Sequence, residues 1–153
     1  MSKQESVLVV DGSNHILGRL ASIVAKKLLE NPDLRIAVVN VEKIVVSGKP
    51  SEVIKQYKAT ILPVTSHHSH KWRPKRPRSP VRLFKKTVYG MLPKHNKRGK
   101  NALKRLKAYI GVPEELRNAE MIRFKDADAS RLARDYVELS RIARELGWRG
   151  AEQ

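Results

Sequence analysis

The chain has 153 residues, of which 41% are hydrophobic, and its 32 Lys and Arg against 15 Asp and Glu give a formal net charge of +17 at pH 7. That is room for one domain, or one domain with an extension, and enough apolar content for a core. The absence of Cys excludes disulfides and thiolate metal sites, no apolar run approaches the ~20 residues that span a bilayer, and the polar start from Met1 to Ser6 has no signal pattern, so a soluble, cytosolic protein is expected.

In chain order, Val7 to Val10 is a β-branched run that ends at Asp11-Gly12, a buried strand followed by a turn. Leu17, Leu20, Val24 and Leu28 then recur at helical spacing, with Ala21 and Ala25 on the same side and Asn31-Pro32 as the stop. Arg35 to Asn40 reads as a second strand and Ile44 to Val46 as a third. After the Gly48 turn, Ser51 is expected to cap a short helix through Tyr57. Strands joined by helices, and apolar throughout instead of alternating, imply an α/β layer with parallel pairing.

Residues 63–80 have no period. Pro63, Pro74, Pro77 and Pro80 punctuate a run rich in His, Lys and Arg, which reads as an extended arm or long loop. Ser79-Pro80 is a helix start, with Ser as cap and Pro in the first turn. The helix that follows is expected to bury Val81, Phe84, Val88 and Met91 and to present Arg82, Lys85, Lys86 and Tyr89 on an adjacent stripe, ending at Pro93. After a loop from Lys94 to Lys100, a second basic helix should turn Leu103 and Leu106 inward and Lys100, Lys104 and Lys107 outward. Tyr109-Ile110 is expected to be a last strand, closed by Gly111 and Pro113. Farther on, Leu132, Tyr136, Leu139, Ala143 and Leu146 fall at intervals of four, three, four and three, the pattern of one amphipathic helix ended by Gly147. Its outer face mixes charges (Arg131, Arg134, Asp135, Glu138, Arg141, Glu145), and it is expected to pack on the chain's own core.

The net charge is a local property. From Val53 to Pro113 there is no Asp or Glu, while Lys and Arg occur 17 times; outside that window the 15 remaining cations match 15 acids. A merely solvated face interleaves acids, as the C-terminal region does. An uncompensated concentration on an arm and two helices calls for a polyanion, and nucleic acid is the commonest one. An anionic membrane surface would want bulky apolar residues opposite the charges, and aromatics are only 5%. Few aromatics also mean that phosphate and shape should dominate, with Arg forks reading paired oxygens. A Pro-Arg-Lys arm suits folded RNA. If six to ten phosphates are engaged, affinity should fall by about a thousandfold or more between low and moderate salt.

The competing chemistries are poorly supported. Between Gly12 and Gly18 five residues intervene and Arg19-Leu20 follows, which matches neither a phosphate loop nor a dinucleotide fingerprint. His67, His68 and His70 lack the fixed spacing of a metal site. No carboxylate clusters with a His or Ser as a nucleophile and base would. A DNA-compacting or general nucleic-acid-binding protein is the alternative from another class.

Lys86-Thr87-Val88-Tyr89-Gly90-Met91-Leu92-Pro93, followed by Arg98-Gly99, Ala102-Leu103 and Arg105-Leu106-Lys107-Ala108-Tyr109-Ile110-Gly111, resembles the signature of the large-ribosomal-subunit protein L-thirteen family. His15-Ile16-Leu17-Gly18-Arg19-Leu20-Ala21-Ser22, Val39-Asn40-Val41-Glu42-Lys43-Ile44 and Ser47-Gly48 are similar to that family's front half, so the resemblance covers Val7 to Leu116. Arg78-Ser79-Pro80 and the tail containing Leu146-Gly147-Trp148 look more like its archaeal and eukaryotic branch. The resemblance implies a three-layer α/β/α core on a four-stranded parallel sheet, a non-enzymatic role, direct binding to large-subunit rRNA and early participation in subunit assembly. Tyr89 departs from the family's usual Arg, and the His67 to Lys75 arm from its Gly-Pro-containing stretch.

The combined expectation is an α/β domain over residues 1–116, including the basic region 53–113, and a C-terminal extension over residues 117–153. The candidate rRNA-binding residues are Lys71, Arg73, Lys75, Arg76 and Arg78 on the arm, Arg82, Lys85 and Lys86 on the first basic helix, and Lys94, Lys97, Arg98, Lys100, Lys104, Arg105 and Lys107 beyond it. Neighbouring large-subunit proteins are expected partners. No cofactor, metal, membrane, small-molecule substrate or homo-oligomer is expected.

Overall fold

The computed structural model describes residues 6–63 and 76–150. In chain order the elements are β1 (Ser6–Asp11), α1 (Leu17–Glu30), β2 (Leu34–Val39), β3 (Val45–Ser47), α2 (Pro50–Ile61), α3 (Pro80–Met91), α4 (Lys97–Lys104), β4 (Leu106–Ala108), β5 (Met121–Ile122), β6 (Tyr136–Glu138) and α5 (Leu139–Glu145). A four-stranded parallel sheet runs in the order β4-β2-β1-β5, and with the five helices of the described residues this is consistent with a three-layer α/β/α core. Side chains alternate across each strand. Val10, Ile36, Val38 and Leu106 therefore join one cluster with Leu20, Val24 and Leu28 of α1, Phe84 and Val88 of α3, and Leu139 and Ile142 of α5.

The first three elements lie where periodicity puts them. β3 does not extend the parallel sheet. Asn40 adopts a left-handed conformation (φ 55°) and a 3-10 turn at Val41–Lys43 carries the chain away, so β3 pairs antiparallel with β6 in a separate ribbon. The fourth parallel strand is β5, beside β1. α2 starts one residue before Ser51, with Lys49 as N-cap and Pro50 in the first turn, where a fixed φ and a missing N–H cost nothing. It runs on to Ile61 because that residue, with Val53 and Ile54, is buried.

Two apolar stripes differ from the expected ones. α3 buries Pro80, Leu83, Phe84 and Val88, leaving Met91 43% exposed and Val81 half-buried. The second basic helix ends at Lys104. Leu106 is buried as the first residue of β4, aligned with Ile36, so the strand expected at Tyr109-Ile110 lies instead at Leu106–Ala108, and β5 and β6 follow it in the chain. Among the described residues of the C-terminal region, only Leu139–Glu145 is α-helical. Tyr136–Glu138 finds a backbone partner in β3, which turns Val137 inward and leaves Tyr136 exposed, while Leu132 packs beside Ile16, Val45 and Ala129. Inter-strand hydrogen bonds there outweigh a helical spacing that no long helix uses. α5 does pack on the chain's own core through Leu139, Ile142, Ala143 and Leu146.

Candidate nucleic-acid interface

The interface begins with how α3 is fixed. The Ser79 hydroxyl accepts the N–H of Arg82 at 3.3 Å and Pro80 fills the first turn, so the helix starts where the sequence says it should. Leu83, Phe84 and Val88 are buried against the core, and α3 packs on α1. Residues at i, i+3, i+4 and i+7 share a face, so anchoring that inner face turns Arg82, Lys85, Lys86 and Tyr89 outward together. Arg82, Lys86 and Tyr89 are exposed and Lys85 is half-buried.

α4 is held in a different way. Asn96 caps it by accepting the N–H of Gly99 at 3.0 Å. Gly99 is buried, and a Cβ there would collide with the Pro93 carbonyl, so only glycine lets the helix sit this close to the end of the preceding segment. Lys97, Lys100 and Lys104 then form one exposed row, with Lys94 before it and Lys107 on β4 after it.

Two arginines of the candidate set are turned to internal work. Arg105 donates to the carbonyls of Leu28 (2.8 Å), Asn31 (2.7 Å) and Leu34 (2.9 Å), and Arg98 donates to Leu29 O at 3.1 Å. These carbonyls lie at and just beyond the C-terminal end of α1, where acceptors lack intrahelical partners and the dipole favours a cation. Arg98 and Arg105 thus tie the basic region to the core. Arg76 donates to the carbonyl of Thr60 and is half-buried, whereas Arg78 is exposed. Lys71, Arg73 and Lys75 lie outside the described residues, as do His67, His68 and His70.

Electrostatically the face is uncompensated. Among the described residues of the window from Val53 to Pro113, Lys58 is the one cation in an ion pair with a carboxylate, 2.9 Å from Glu145. That ammonium's hydrogen bond and charge hold Glu145 below its usual range. Of the other described cations, Arg76, Arg98 and Arg105 donate to backbone carbonyls and most of the rest are exposed, an arrangement that self-repulsion disfavours unless an anion arrives.

Two clefts interrupt the face. One, of about 290 Å³, has Arg76, Arg82, Lys85 and Lys86 around the Tyr89 ring, with Pro77 and Leu103 as its apolar floor. The other, of about 420 Å³, has Arg76, Arg78, Arg82 and Arg149 around Trp148. Charge and composition do not mark Trp148 and Arg149 as binding residues, because the C-terminal region interleaves acids and bases; the fold brings them beside the basic window. Their placement follows from the end of α5. Gly147 adopts φ 102°, its N–H donates to Arg144 O at 3.1 Å and that of Trp148 to Ala143 O at 2.9 Å, a two-bond cap that fixes the backbone from which the indole projects.

The turn between β1 and α1 offers no phosphate cradle. Its N–H groups are already engaged: Gly12 with Val39 O at 2.8 Å, Ser13 with Asp11 Oδ1 at 3.0 Å, Asn14 with Lys43 O at 3.2 Å and Ile16 with Ala127 O at 2.7 Å. No group of three or more potential metal ligands occurs among the described residues.

The profile of the family described as Ribosomal protein L13 matches residues 5–115. The chain is 59% identical over 143 residues to the large ribosomal subunit protein uL13 of Aeropyrum pernix, covering 94% of this chain and 91% of that one. It is 44% identical over 147 residues to the protein of the same name from Sulfolobus acidocaldarius, covering 96% and 97%. To that from Saccharolobus solfataricus it is 41% identical over 147 residues, with the same coverage.

Proposed function

The chain belongs to the Ribosomal protein L13 family, and we propose that it is a structural, non-enzymatic constituent of the large ribosomal subunit that binds large-subunit rRNA and supports subunit assembly in the cytoplasm. The observation that carries the binding face is the outward row of cations on α3 and α4, without carboxylate partners, on helices whose inner faces are locked to the core. A rigid scaffold presents Arg82, Lys85, Lys86, Lys94, Lys97, Lys100, Lys104 and Lys107 to phosphates with little ordering cost on binding. Arg76 and Arg78 extend the same cationic surface, and Lys71, Arg73 and Lys75, outside the described residues, are further candidates for phosphate contact. Arg98 and Arg105 contribute by holding α4 and β4 in register with α1. Neighbouring large-subunit proteins are the expected protein partners.

The experiment is a sucrose gradient of native lysate with subunits separated at low magnesium. Recovery at one copy per large subunit, with none on the small, is the expected result. A free or DNA-associated pool with little in the subunit peak would overturn the reading in favour of a general nucleic-acid-binding protein. Reversing Lys85 and Lys86 to Glu should abolish stable incorporation, and normal occupancy of that variant would remove the α3 face from the interface.

A further inference from the structure

The clefts around Tyr89 and Trp148 share a wall, since Arg76 and Arg82 line both. Each cleft pairs one aromatic ring with cations, and among the described residues neither is lined by a carboxylate. A convex row of lysines is all that a duplex backbone requires. Two concave sites with ring walls are superfluous for that purpose, and a ring is what an unstacked base packs against.

Tyr89 is free for this role, and Trp148, which packs in part against the core, offers the remainder of its ring. Tyr89 is 46% exposed while the opposite face of its helix is buried, so the ring is not needed by the core. Trp148 is half-buried and held in place by the cap at Gly147, and Arg78 lies 3.6 Å from where a Cβ would stand at that glycine. A protein partner filling both clefts would have to bring apolar side chains and several carboxylates together. A single RNA strand brings flat rings and a negative charge at every link.

We propose that these clefts seat two unpaired bases of one RNA strand, one against Tyr89 and one against Trp148, with the strand's phosphates crossing the shared Arg76 and Arg82 wall. The inference rests on the rRNA-binding reading and names the form of RNA that this part of the face selects: a bulge, loop or unpaired junction strand in place of a continuous duplex.

The test uses the full chain and two probes, a single-stranded RNA of about eight nucleotides and a blunt duplex of the same length, compared at one salt concentration. Tyr89→Ala should weaken single-strand binding by about tenfold and leave duplex binding unchanged, while Tyr89→Phe, which keeps the ring, should bind as the parent does. In a Trp72→Phe background, where Trp148 is the sole indole, its emission should be quenched by the single strand and not by the duplex. Equal losses for both probes, a Tyr89→Phe variant as weak as Tyr89→Ala, or an unquenched Trp148 would overturn the base-seating proposal and leave the rRNA-binding reading intact. Failure of the parent chain to bind either probe would overturn both. A Tyr89→Ala chain with full RNA affinity but poor incorporation into subunits would assign the cleft to a protein side chain and overturn the proposal.

Discussion

The fully buried imidazole of His15 accepts the backbone N–H of Phe124 at Nε2, 3.0 Å away and 109 residues along the chain. Because a backbone N–H can only donate, the proton of the neutral ring sits on Nδ1, where it is donated to Ser13 O at 2.9 Å. One side chain in the β1–α1 turn thereby fixes the segment that follows β5, and the Phe124 ring lies edge-on to the imidazole at a centroid distance of 6.5 Å. His15→Phe keeps an aromatic ring but leaves the half-buried Phe124 N–H without its acceptor, while Ser13 O keeps the Arg123 guanidinium at 2.9 Å, so a loss of about 1–2 kcal/mol is expected. Urea denaturation of the two proteins measures it.

Gly99→Ala separates propensity from packing. In an open helix the change would stabilise by about 1 kcal/mol. Here the new methyl meets the Pro93 carbonyl, a backbone atom that cannot step aside, so a net destabilisation of about 1–3 kcal/mol is expected. The sign of the shift in thermal midpoint decides between the two. Displacement of α4 should also scatter Lys97, Lys100 and Lys104, so rRNA affinity should fall with stability.

Arg105 and Lys100 sit on neighbouring turns of the basic region and should respond in opposite ways. Arg105→Met removes a guanidinium from three carbonyls, and an expected cost of about 2–3 kcal/mol follows from losing hydrogen bonds to a charged group. Lys100→Gln should leave stability unchanged and reduce the salt dependence of RNA binding by about one unit of slope. Chemical denaturation and a salt titration of binding, made on both variants, check the pair.

Asp11 makes stability depend on acid. Burial by itself pushes its carboxyl up, but the Ser13 N–H, the Asn40 amide, the Ser13 hydroxyl and the Arg123 guanidinium together outweigh that and hold it below the usual carboxylate range. A group with a depressed native pKa contributes stability that is complete above its unfolded value, about 3.9 for Asp, and is lost as pH falls from there through the native value. Urea midpoints compared between about pH 6 and pH 3 should fall less for Asp11→Asn than for the parent, although the variant starts from a less stable protein.

Much of this was readable along the chain because it is local. The strand Val7 to Val10, the helix carrying Leu17 to Leu28 and the Ser79-Pro80 start each depend on residues within a few positions of one another. The glycine stop at Gly147 has the same local character. The acid-free window is likewise a matter of composition, and so is the outward row of Arg82, Lys85, Lys86 and Tyr89, which follows from helical period. Leu132, Tyr136 and Leu139 show the limit: their spacing fits a helix, yet β3 supplies a backbone partner for Tyr136–Glu138 from some 90 residues earlier in the chain.

The sequence by itself determined that this is an α/β protein with a concentrated, uncompensated positive charge, because periodicity and net charge are properties of neighbours. Only the tertiary structure decided which cations are available and what stands beside them. Arg105 turns inward to carbonyls as far as 77 residues away. Trp148 and Arg149 come to border the same clefts as Arg76 and Arg82. Chain closure through the sheet and the core sets those distances, and no one-dimensional pattern encodes where two remote side chains will meet.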